Sequence, residues 1–157
     1  MKSEEYMKIA VEESKANLEN NYQKGGPFGA VIVKDGEIIA RAHNTVIESI
    51  DATAHAEVNA IRLASKKLNT HDLSDCILYT SAEPCPMCLS AIIWANIKEV
   101  YFANTKKDAA DIGFRDDMIY EYLKGNEKEV LHLHYMENEE AKRVFDDFKN
   151  MTEKKMY

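Results

Sequence analysis

Asp35-Gly36 stands between two apolar runs, GAVIVK and EIIARA. A two-residue hairpin turn needs positive φ at both central positions, which Asp-Gly accepts and most pairs do not. The flanking runs are therefore predicted to pair as adjacent antiparallel strands. Residues 3–23 read as a helix that Ser3 can cap, with Met7, Val11, Leu18 and Tyr22 on one face, and GGPFG at 25–29 ends it. Residues 44–54 read as a loop and 55–68 as a second helix. CILYTS at 76–81 has the character of a buried strand, and the loop AEPCP opens a third helix over 86–96. KEVYFAN reads as a strand, DAADIGFRDD as a loop or broken helix, and 117–124 as a short helix. VLHLHY reads as a fifth strand and 138–151 as the last helix. A hairpin followed by alternating helices and strands predicts an α/β fold, with a five-stranded mixed sheet between two helical layers.

The chain has 157 residues and neither a repeat nor a convincing linker, so a single domain spanning 1–157 is expected. Glutamates interrupt MKSEEYMKIA where a secretory signal would be apolar, and no run is long enough to span a bilayer. A cytoplasmic protein without membrane contact follows as an expectation. The net charge of −7 argues against a broad nucleic-acid surface. The three cysteines, Cys76, Cys85 and Cys88, are an odd count and argue against a disulfide framework.

Chemistry concentrates in His55-Ala56-Glu57 and Pro84-Cys85-Pro86-Met87-Cys88. A His-x-Glu alone means little in a chain with 27 acidic residues. A Cys-x-x-Cys among only three cysteines, with proline on both sides of the first, is much rarer by chance. Cys85 and Cys88 stand three apart at a helix start, so they share a face that Ile92 and Ala95 continue toward the core. The positive helix end there favours thiolates. Glu57 shares a stripe with Ile61, Ala64 and Leu68, where a carboxylate is costly without a partner or a task. One imidazole and two thiolates suit tetrahedral zinc with a fourth position left for water, the arrangement of a catalytic site. Two thiolates neutralise the cation, so a nearby carboxylate must take the water's proton, and Glu57 is placed to do so. Other readings remain open from the residues alone. The cysteines could be a redox pair, or a structural zinc could be closed by Cys76, His43 or His71, giving a zinc-stabilised binding module rather than an enzyme. Cys76 itself reads as a packed core thiol, His132 and His134 as surface or satisfied structural histidines, and Trp94 as core packing.

His-x-Glu with Pro-Cys-x-x-Cys is the signature of zinc nucleobase deaminases. The sequence resembles the cytidine deaminase-like superfamily over nearly its whole length. Its stretches GGPFGAVIVKDG, TAHAEVNAIR, DCILYTSAEPCPMCLSAIIWA and DAADIGF resemble the bacterial guanine deaminases most. The resemblance implies the cytidine deaminase-like fold and hydrolysis of guanine to xanthine and ammonia. It implies that His55, Cys85 and Cys88 hold Zn²⁺ and that Glu57 shuttles protons. Asn44 would hydrogen-bond the purine, Phe28 would stack on it, and Ala56 and Asp116 would also meet it. Tyr157 would close the pocket, contributed in this family by the tail of a partner subunit, so a homodimer with exchanged tails is implied. Other deaminases of the superfamily act on tRNA adenosine, cytosine or nucleosides. The tRNA reading needs a basic surface, which the acidic charge weakens, though Lys142, Arg143, Lys149, Lys154 and Lys155 near the end offer a local patch.

Overall fold

The computed structural model describes residues 2–157. Asp35 and Gly36 both take positive φ, 50° and 79°, so the turn is of the mirror-image type whose twist matches the strands it joins. It connects β1 (Gly29–Lys34) to β2 (Glu37–His43) in antiparallel register, with one irregularity between Ile32 and Val33. β3 (Cys76–Ala82) pairs antiparallel with β1 on its other side, and β4 (Glu99–Asn104) pairs parallel with β3. The order is β2-β1-β3-β4, a mixed sheet of four strands.

Helices lie on both faces, giving three α/β/α layers. α1 (Ser3–Ser14) packs on β1, β3 and β2, and α2 (Ala56–Leu68) on β2 and β1. α3 (Pro86–Trp94) packs beside α2. The two faces have separate cores. Ala30, Ile32, Leu78, Ala60, Ala64 and Ile92 belong to the α2–α3 side, and Tyr6, Ala10, Val31 and Tyr79 to the α1 side. Successive β1 residues thus alternate between the faces, as the pleat requires. β4 follows α3 by the crossover that a parallel pair needs. No described helix is long and apolar enough to cross a membrane.

The chain divides into two compact units, one ending at Asp117 and one covering Met118–Tyr157. The first also holds the six-residue α4 (Lys106–Asp111), begun by a reciprocal Thr105–Asp108 capping box. The second is made of most of α5 (Asp117–Leu123), a 3₁₀ turn at Lys128–Val130 and α6 (Glu139–Asn150).

Four expectations are corrected. The sheet has four strands, because VLHLHY at 130–135 is extended at Leu131 but pairs with no described strand. Alternation supplies a strand tendency without a partner. Helix α1 stops at Ser14, nine residues short of the predicted end, and 15–23 run as successive turns with Asn21 and Tyr22 in the left-handed region. Asparagine side chains compete with helical bonding in that stretch, NLENNY. Ser3 is the first helical residue rather than the cap; Lys2 is the cap, and its amide donates to Glu5. Trp94 is 65% exposed, not core.

Candidate active site

Two helix starts converge. His55 is the N-cap of α2 and Cys85 the N-cap of α3, both with extended backbone. Pro86 takes the first position of α3, where its missing N–H costs nothing. Cys88 is buried one turn further on. His55 Nδ1 lies 3.6 Å from Cys85 Sγ and 3.5 Å from Cys88 Sγ. Among the described residues these three are the group able to hold a metal ion. Tetrahedral zinc, with bonds of about 2.3 Å to sulfur and 2.0–2.1 Å to nitrogen, sets such ligands roughly 3.6 Å apart. The donor set and its spacing therefore fit zinc, with three protein ligands and one position to spare.

The protons say the same. Cys88 donates to Cys85 and His55 adds its own hydrogen bond, so the Cys85 thiol is held down to about 4. Cys88 is pushed far up, first by that same hydrogen bond and then by burial. The two sulfurs are thus close enough to share one proton, and a divalent cation would let both ionise. His55 is raised by its bond to Cys85.

Glu57 is 6% exposed, in the first turn of α2, with the Cys88 thiol near its carboxyl. Burial is the main cause that raises its pKa. A carboxyl kept partly reluctant to ionise is suited to take a proton and give it back. Asp116 is raised chiefly by desolvation and feels Cys85, which brings the loop before α5 toward the same corner.

Asn44 and Phe28 form the other side. Asn44 is 6% exposed. Its N–H donates to Phe28 O, and its side-chain oxygen accepts from the amides of Gly26 and Val46. Gly25 has to be glycine, because a Cβ there would overlap the Asn44 carbonyl. Phe28 packs against the core cluster that includes Ala56, and its ring meets Phe114 edge-on at 5.0 Å between centroids. Phe114 is two residues before Asp116, so the aromatic pair links the Phe28 strand entry to the acidic loop. Ala56 is fully buried as the first residue of α2. Tyr157 lies in the second unit and is exposed.

The structure thus joins His55, Cys85, Cys88, Glu57 and Asp116, and separately ties Asn44 to Phe28. Closure of the metal group by another side chain is not what it shows: His43 pairs with Glu13, and buried Cys76 donates to Asp75. Sequence reasoning missed Phe114, although it ends the stretch DAADIGF, and Asn59. Asn59 lies one turn after His55 and donates to His43 O, Thr45 Oγ1 and Ala54 O, closing the loop between Asn44 and the first ligand. It also missed Asn17, which no motif marks.

Residues 1–104 match the family described as the cytidine and deoxycytidylate deaminase zinc-binding region. The chain belongs to this family, and with it to the zinc-dependent hydrolytic deaminases of nucleobases. It is 52% identical over 134 residues to the guanine deaminase of Bacillus subtilis (strain 168), which covers 85% of this chain and 86% of that protein. The crystal structure of guanine deaminase from Bacillus subtilis matches with a TM-score of 0.92 at 46% identity, covering 100% of this chain and 99% of that one. A tRNA-specific adenosine deaminase of Aquifex aeolicus (strain VF5) is 45% identical over 108 residues, 68% of this chain and 69% of that protein.

Proposed function

We propose that this protein hydrolyses guanine to xanthine and ammonia. The observation that carries the reading is a buried carboxyl, Glu57, set against a three-donor zinc group in a chain half identical to a guanine deaminase. His55, Cys85 and Cys88 would hold zinc, which when bound would supply Lewis-acid activation of a water molecule. Glu57 accepts that water's proton as the new C–O bond forms at C2 of the purine. It passes the proton to the ring nitrogen N3, and a second proton, from the new C2 hydroxyl, moves through Glu57 to the exocyclic amino group. The exocyclic C2–N2 bond then breaks as the C2 carbonyl forms, and ammonia leaves, so atoms and charge balance.

The other assignments follow from the same pose. The Asn44 side-chain N–H donates to the purine, Phe28 stacks on its face, and Ala56, the first residue of α2, meets it through its main chain. Asp116 meets the guanine edge. The whole chain works as one deaminase domain in a homodimer, in which the C-terminal segment of one copy, with Tyr157, closes the pocket of the other. Exposed Leu131, Leu133, Tyr135, Phe145 and Phe148, with Tyr101 and Phe102 exposed on the open edge strand β4, support a second copy as the covering surface. A role in purine breakdown inside the cytoplasm is consistent with three free cysteines, two of which the site needs reduced.

Ammonia release from purified protein, assayed against guanine, adenine, cytosine and a tRNA anticodon hairpin, tests the substrate. Guanine alone should respond. Release from the tRNA hairpin alone would replace guanine with a flipped adenosine.

A further inference from the structure

We infer that Asn17, in the run of turns that follows α1 and outside every motif, is a positioning residue that aims the Asn44 carboxamide at the substrate. The inference rests on Asn44 as a purine contact. Four hydrogen bonds fix Asn44, two to its main chain and two to its side-chain oxygen. Phe28 O takes its N–H at 3.1 Å, and Asn17 Nδ2 donates to its carbonyl at 2.9 Å. The Gly26 and Val46 amides donate to Oδ1 at 3.2 and 3.1 Å. Turning the carboxamide over would set its NH₂ against two N–H groups, so its orientation is determined. Its Nδ2 is left without a hydrogen bond among the described residues, a donor held out for an acceptor that the protein does not provide.

Asn17 is itself 3% exposed, deeper than Asn44. Its Oδ1 accepts from Asn20 Nδ2 at 3.4 Å, and its own carbonyl accepts from Tyr22 N–H at 2.8 Å. Asn20 Oδ1 in turn takes the Lys24 amide at 3.3 Å, next to the two glycines. One stretch, 17–26, thus grips Asn44 by its main-chain carbonyl through Asn17 and by its side-chain oxygen through Gly26. Asn59 braces the neighbouring peptide too, but it also bonds Ala54 O beside His55, so its loss would disturb the metal corner. The hydrogen bonds of Asn17 touch no metal ligand, and its loss separates pocket orientation from metal binding. Asn44 contacts substrate in ground and transition states alike, so misaiming it raises KM and spares kcat.

The test uses the full zinc-loaded chain. Asn17→Ala should raise KM for guanine about tenfold, a displacement well under an ångström being enough. kcat should stay within about twofold, and zinc content should not change. Guanine binding by calorimetry in a Glu57→Gln background should weaken by the same factor. In an Asn44→Ala background Asn17→Ala should add nothing, because the two act through one contact. Asn17→Leu, of similar size and with neither donor nor charge, carries the same expectation should the alanine variant fail to fold. Unchanged KM, equal losses in kcat and KM, or additive effects with Asn44→Ala would overturn the proposal. If Asn44→Ala alone leaves guanine binding intact, the Asn44 reading and this inference fall together. If Asn44→Ala weakens binding and Asn17→Ala does not, only this inference falls.

Discussion

The unit ending at Asp117 and the unit from Met118 to Tyr157 solve the problem of apolar side chains in opposite ways. The first sets Ile32, Leu78 and Ala64 into a core on one sheet face and Val31 and Tyr79 into a second on the other. The second has no buried residue at all, although α6 carries Val144, Phe145 and Phe148 on one face. An amphipathic pattern says that a face needs covering; it does not say by what. The difference teaches that the metal-donor group sits at the edge of the closed core, with Cys88 and Glu57 buried and His55 and Cys85 half-buried. A carboxyl such as Glu57 is tuned only where water has been excluded, and thiolates are held only by helix starts that the core fixes.

The sharpest way to break that contrast is to spoil the chemistry without touching the packing. Glu57→Gln keeps the shape and removes the proton shuttle. Guanine turnover should fall by about 10³-fold or more while metal analysis still finds one zinc per chain. Near-normal ammonia release would mean that the buried carboxyl has no catalytic role. Next in size is the packing itself. Leu78→Ala, at a fully buried position of β3, should cost about 2–5 kcal/mol of unfolding free energy in a denaturant titration. A cost under about 1 kcal/mol would show that the first unit is less tightly built than its burial implies.

How much of this was legible in the sequence follows from the same contrast. The hairpin could be read because Asp35-Gly36 imposes its backbone angles locally. The metal group could be read because each half is a short motif at a helix start, and the zinc chemistry of the residue types joins the halves. Asn44 and Phe28 were within reach only through resemblance, since their partnership is a contact across the hairpin entry. Asn17 was not legible: its partner lies 27 residues away, and an asparagine after a helix usually serves a turn. The same asparagines explain why the helix reading ran too far, since Leu18 and Tyr22 continue the apolar period after the backbone has left the helix. VLHLHY misled for a related reason. Alternation reports two faces, but a strand exists only when an edge takes up its amides.

A third test reports on the closed core without disturbing it. Cys76 is buried beside Asp75, and burial pushes its thiol up to about 11. At pH 8 its thiolate is scarcer by about a hundredfold than in an ordinary cysteine, before access is counted. In the folded zinc-loaded chain, iodoacetamide followed by mass spectrometry should therefore leave Cys76 unmodified, with alkylation appearing on unfolding. The sign for stability is fixed as well. Between pH 9 and 11 the unfolded chain has released this proton and the folded chain has kept it, so this group's contribution falls as pH rises through that window.

The smallest effect belongs to the open unit. Phe145 is exposed on α6, so Phe145→Asp removes no buried contact of the described chain. The unfolding free energy of the variant, measured at dilution where only single chains persist, should differ from wild type by less than about 0.5 kcal/mol, the range of surface substitutions. The same change puts a charge in the middle of the apolar face formed with Val144 and Phe148, which a second copy would have to cover. Sedimentation at micromolar concentration should therefore show the wild type as a dimer and the variant as a monomer. A large loss of single-chain stability would instead mean that Phe145 already has its cover within one molecule. An unchanged dimer would place the covering surface elsewhere.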